Sequence, residues 1–199
     1  MPMNQNGTKW SENVIIVDAD YVDGVAFNLI VNFERMLGRR IPQADMARWL
    51  ECVALDGGVR EGKHETSVVL IHEKEKSHLR NFVPSDYATD LSGKAFDSPL
   101  GEFVINCVSV EEITTKENLF VDVLTFVASQ PDVKRLMLVP DENIDVLKDR
   151  IRRSLQHIDD EKRVTLFAMQ PAGGGPCRQE ILGYSLMSAL GIRGEEFHR

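Results

Sequence analysis

The residues best placed to do chemistry are acids that directly follow apolar runs. Asp18 and Asp20 follow Val14-Ile15-Ile16-Val17, His72 and Glu73 follow Val68-Val69-Leu70-Ile71, and Asp141 and Glu142 follow Leu138-Val139-Pro140. A short β-branched run of this kind suits a strand buried on both faces of a parallel sheet. In open α/β sheets ligands bind outside the carboxyl ends of the strands. Adjacent strands would therefore bring three to five carboxylates to one edge, with Asp122 on the flank of a helix just before the fourth strand. Converging carboxylates repel, and burying them unpaired is costly. A raised pKa, a basic partner or a divalent cation resolves the conflict. Hard oxygen donors suit Mg²⁺ or Mn²⁺, which activate water and stabilise a phosphoryl transition state. The same acids have a plainer use, because Asp18 and Asp141 are also placed to cap the helices that follow them.

The elements that must position these residues alternate along the chain. The spacing predicts strands near residues 14, 67, 104, 135 and 164. Helices are predicted at about 24–37, from near Pro42 to Asp56, from the Thr114-Thr115-Lys116-Glu117 capping box to Pro131, along the stripe Ile144, Leu147, Ile151, Leu155 and Ile158, and at about 178–190. Gly38 and Gly191 are the expected stops. Strand–helix alternation implies an α/β domain, with a mostly parallel central sheet of about five strands and helices on both faces. We assign residues 1–12 to a polar tail and 13–199 to a single domain with a long insertion at about 73–100. That insertion is polar but carries Phe82, Tyr87, Leu91 and Phe96, too apolar for a free linker. It is expected to fold back as a cover near the acidic edge, or as a partner-binding flap. The segment Ile181–Met187 is apolar on more than one face, which calls for burial or self-association.

Two family resemblances follow from these residues. The order strand–Asp-x-Asp, helices, two strands, a helix with Asp122, strand–acid pair is similar to the PIN/NYN-like nuclease domains over residues 13–170. That resemblance implies metal-dependent RNA cleavage, with Asp18, Asp122 and Asp141 or Glu142 around the cation. Tyr21 stands where that family carries Asn, and Pro140-Asp141-Glu142-Asn143 stands in place of Ser-Gly-Asp-x-Asp, so the resemblance also admits a degenerate, non-catalytic relative. Val17-Asp18-Ala19-Asp20-Tyr21-Val22 resembles the first motif of haloacid-dehalogenase-like phosphatases, and Pro140-Asp141-Glu142-Asn143-Ile144-Asp145 resembles their fourth. That reading implies Asp18 as nucleophile, Asp20 as general acid/base, and Asp141 and Asp145 on Mg²⁺; His72 stands in place of the expected Ser or Thr, and no lysine stands out as well placed, Lys116 being a conceivable one. A non-catalytic α/β interaction module is the third reading.

Composition bounds the rest. With 43% apolar and 27% charged residues the 199-residue chain is globular, and its net charge of −8 excludes a generally basic nucleic-acid surface. RNA or a phosphorylated small molecule would need a local basic patch or a metal. No apolar run reaches 18 residues, so no membrane span is expected. The start of the chain lacks the basic and apolar regions of a secretory signal. Cys52, Cys107 and Cys177 form no CxxC pair and read as reduced thiols of a cytoplasmic protein. Gly173-Gly174-Gly175 reads as a connector, His64, His72 and His78 as surface or loop residues, Trp49 as core or interface, and Lys148, Arg150, Arg152 and Arg153 as a solvated helix face.

Overall fold

The computed structural model describes residues 10–198. Val14 to Val17 have no exposed surface, because their strand β1 (Asn13–Asp18) lies at the centre of the sheet. On one side β1 pairs in parallel with β3 (His64–Glu73), and β3 pairs with β6 (Gly101–Val110). On the other side β1 pairs with β7 (Arg135–Val139), which leads to β8 (Arg163–Ala168) and β9 (Arg178–Ile181), all parallel. β5 (Ala95–Ser98) closes the far edge as an antiparallel hairpin with β6. The order β5-β6-β3-β1-β7-β8-β9 reverses direction between β1 and β7. That reversal is the position where open α/β sheets bind ligands.

The sheet has seven strands, where the sequence reading expected about five. The two additional members are the edges. β9 (Arg-Gln-Glu-Ile) has neither an apolar run nor clean alternation, because an edge strand is half solvated and is protected by charge. The predicted helix at 178–190 therefore divides into β9 and α5 (Leu182–Ala189). A separate parallel pair joins β2 (Ala44–Asp45) to β4 (Phe82–Val83). Helix α1 (Ala19–Leu37) begins at once after β1 rather than at Gly24, and Gly38 ends it at φ 65°. Helix α2 (Met46–Asp56) begins four residues after Pro42, at an Asp45 cap. Helix α3 (Lys116–Ala128) is capped by Thr115, one residue beyond the capping box as read. Helix α4 is Asp145–Gln156.

Alternate residues of β1 feed two cores. Ile15 and Val17 face α1, α2 and α5, while Val14 and Ile16 face α3 and α4. The segment between β3 and β6 joins the first core: Phe82, Tyr87 and Leu91 are buried there, and Phe96 stacks on Phe103 at 4.8 Å. Trp49 is fully buried and donates Nε1–H to Ser185 Oγ at 3.1 Å. In α5 Leu182 and Leu186 are buried, whereas Tyr184 is exposed. The expected tail falls outside the described residues for 1–9. Of the remainder, Trp10 packs edge-on against Phe126, and Glu12 pairs with His64 at 2.8 Å. Among the described residues no helix is long and apolar enough to cross a membrane.

Candidate functional site

Four acids of the sequence reading stand at the carboxyl edge near the reversal. Asp18 ends β1 and is 1% exposed. Its Oδ1 accepts the Tyr21 backbone N–H at 3.1 Å, so it caps α1. Its Oδ2 lies 3.2 Å from Lys116 Nζ, which arrives on the first residue of α3. One carboxylate thus combines capping with a buried ion pair.

The electrostatics follow from this packing. Burial pushes the Asp18 carboxyl up from 3.8 to about 6; Lys116 and the Tyr21 N–H draw it down, and Asp141 adds to the rise. Asp18 is therefore ionised at neutral pH but titrates close to it. Burial works against the Lys116 ammonium, yet Asp18, Asp20 and Asp141 together hold its pKa above the ordinary value.

The neighbouring acids hold backbone. Asp20 Oδ2 accepts the Glu73 N–H at 2.6 Å, and Oδ1 accepts from the Tyr87 hydroxyl at 3.4 Å. The Tyr87 ring stacks on His72 at 3.8 Å, nearly parallel, and His72 Nδ1 lies 2.9 Å from its neighbour's carbonyl, Glu73 O. Glu142 Oε2 accepts from Met169 N at 2.6 Å and Tyr21 Oη at 3.0 Å, and Oε1 accepts from Gln170 N at 3.2 Å. Tyr21 is held above its ordinary pKa by burial first, then by Glu142. Asp141 Oδ1 accepts the Asn143 N–H at 2.9 Å.

Asp122 does not join this group. It is exposed between the buried Val121 and Val123. Six residues beyond Lys116 place it about 9 Å farther along the helix axis and turned to another side. Asp145 is also outside: it is exposed in the first turn of α4, with Lys148 4.0 Å away. Arg150 donates to Asn118 Oδ1 at 2.5 Å, so one member of the basic α4 face is a structural tie. His64 pairs with Glu12, and His78 contacts Ser77.

Among the described residues, no three His, Cys, Asp or Glu side chains are grouped to hold a metal ion. Both Asp18 oxygens already have partners, and the positive charge beside them is Lys116. The donor set does not fit Mg²⁺ or Mn²⁺ in this arrangement. Tyr21 and Tyr87 are the members that the sequence reading gave no chemical role, although Tyr87 belongs to the segment expected to cover the acidic edge. The only local signal was Tyr21 at the third residue of the helix that Asp18 caps. Tyr87 reaches Asp20 through the fold.

The profile of DUF6621, a family of unknown function, matches residues 7–197, so the chain belongs to that family. No curated protein and no solved structure matches it.

Proposed function

For this DUF6621 member we propose phosphoryl transfer from a phosphorylated small molecule, centred on Asp18 and Lys116, in the manner of the haloacid-dehalogenase-like phosphatases. The observation that carries this reading is the buried Asp18–Lys116 pair at the topological reversal. A buried ion pair contributes little to stability, because desolvation offsets its attraction. Placed at the ligand edge, with a carboxyl that titrates near 6, it fits a poised nucleophile better than a structural tie.

In the proposed step an Asp18 oxygen forms the bond to phosphorus while the ester oxygen leaves and takes up a proton. The phosphatase resemblance gives that proton transfer to Asp20. Water then cleaves the acyl phosphate, returning the carboxylate and releasing inorganic phosphate. Lys116 offsets the charge on the phosphoryl oxygens, as a preorganised cation does in a site shielded from water. No step is routed through a metal ion. RNA cleavage is the weaker reading, because Asp122 is exposed and separate from Asp18. The free thiols Cys52, Cys107 and Cys177 suit a reducing compartment, the cytoplasm of the sequence reading.

The non-catalytic module is favoured by one observation: Asp18 is 1% exposed, and the oxygens of Asp18, Asp20 and Glu142 already have partners. In that reading the acids staple the sheet edge, and assembly with a second copy or another protein is the function. The test is hydrolysis of p-nitrophenyl phosphate by wild type and Asp18→Asn, with and without Mg²⁺. Turnover that Asp18→Asn abolishes supports phosphoryl transfer. Absence of turnover, or turnover unaffected by Asp18→Asn, rejects it in favour of the module.

A further inference from the structure

The opposite edge of the sheet carries a charge arrangement that the Asp18 site does not use. β7, β8 and β9 each begin with an arginine: Arg135, Arg163 and Arg178. Arg135 and Arg163 are register partners, as are Thr165 and Arg178. Like charges placed side by side on a ladder destabilise it. Arg135 is nevertheless held in place. Its Nη1 donates to Gly57 O at 2.7 Å, and Gly58, at φ +98°, leaves free the space a Cβ would take from that guanidinium. Burial first, then Arg163 and Arg60, hold Arg135 below its ordinary pKa.

These three arginines and Lys162 border a cavity of ≈ 330 Å³. Acids stand around it too. Asp159 and Asp160 lie on its rim, Glu180 pairs with Arg178, Asp56 lies in the field of both, and Glu12 acts on Arg135. Among the described residues, however, neither Arg135 nor Arg163 has a carboxylate within ion-pair distance, and the Arg163 side chain makes no hydrogen bond. Among the described residues, two adjacent guanidiniums at a cavity, in a chain of net charge −8, thus have no directly paired carboxylate, although acids stand nearby.

We propose that this cavity binds the phosphate group of a small phosphorylated molecule, bridged between Arg135 and Arg163. The planar guanidinium fork matches phosphate oxygens bidentately. The volume lies at the low end for small-molecule sites and suits a compact ligand rather than a polymer. The site is independent of the Asp18 chemistry.

The test is thermal melting and calorimetric titration of the full chain with pyrophosphate, inorganic phosphate and adenosine monophosphate, at ionic strength fixed with chloride. The expected result is a phosphate-dependent rise in Tm for wild type, Asp18→Asn and Arg152→Gln, and binding at least tenfold weaker for Arg163→Gln. Because Arg163 is exposed and its charge repels Arg135, the anion-free Tm of Arg163→Gln should be unchanged or higher. A preference for adenosine monophosphate assigns an organic phosphate, and a preference for the inorganic anions a free one; both support an anion site here. The proposal is overturned if wild type shows no response, if Arg163→Gln responds like wild type, or if only Asp18→Asn loses the response. It is also overturned if a single-stranded RNA oligonucleotide binds while the small phosphates do not.

Discussion

Lys116 Nζ sits 3.2 Å from Asp18 Oδ2, and the two side chains are 17% and 2% exposed. The ammonium neutralises the carboxylate that ends the central strand, and so permits an acid to stand at a fully buried position of the sheet edge. Removing one member of such a pair leaves the other charged and unpartnered. Lys116→Ala should therefore lower the unfolding free energy by about 3–5 kcal/mol, measured by urea denaturation. Asp18→Asn keeps a good helix cap, so the double variant Asp18→Asn/Lys116→Met should recover most of that loss. A double variant no more stable than Lys116→Ala would show that the pair is not the cause.

The titration of Asp18 gives a pH test with a definite sign. Its folded pKa of about 6 lies above the unfolded 3.8, so the folded state binds the proton more tightly between those values. This group's contribution to stability is greatest below about pH 4 and declines as pH rises to about 6, by roughly 3 kcal/mol in total. The difference in unfolding free energy between wild type and Asp18→Asn should follow that decline and be flat above pH 7. An opposite slope would mean that Lys116 outweighs burial. Phosphatase activity should rise with pH through an apparent pKa near 6.

With Lys116 removed, Asp18 and Asp141 lose the cation that acts on both. Lys116→Ala should then gain a Mg²⁺-dependent rise in Tm that wild type lacks, since a cation that binds only the native state stabilises it by RT ln(1 + [L]/Kd). An equal Mg²⁺ shift in both proteins would show that the lysine does not stand in for the metal.

Glu142 joins the end of β8 to α1 through Met169 N, Gln170 N and the Tyr21 hydroxyl. Glu142→Ala should cost about 1.5–3 kcal/mol, the range for hydrogen bonds to charged groups. The Tyr21 phenol should then ionise at lower pH, read by its ultraviolet titration. An unchanged Tyr21 titration would assign its shift to burial alone.

Phe82 lies fully buried where the β3–β6 segment folds back onto the first core. Phe82→Ala should cost about 3–5 kcal/mol. Replacing residues 76–92 with a short Gly/Ser turn should expose apolar surface and cause aggregation, measured by light scattering. A truncated protein that stays monomeric and equally stable would make the segment a tolerated insertion.

The sequence by itself determined the features that depend on neighbours along the chain. Val14-Ile15-Ile16-Val17, short, β-branched and apolar throughout, suited a doubly buried strand. The acids Asp18 and Asp20 had to emerge at its carboxyl end, and Gly38 had to end the helix that follows, because its left-handed φ is open to glycine. Strand–helix alternation carried the parallel α/β architecture for the same reason. Tertiary structure decided which residues meet. Lys116 reaches Asp18 only because β7 passes back to the other side of β1, and no periodicity in the sequence encodes that strand order. Asp122 and Lys116 lie on one helix, but each residue turns about 100°, so the rotation of α3 against the sheet left Asp122 in solvent and brought the lysine to the acid. The edge strands β5 and β9 were hidden because a strand paired on one side needs little apolar sequence. Arg135 and Arg163, far apart in the chain, became neighbours only when β7 and β8 paired in register.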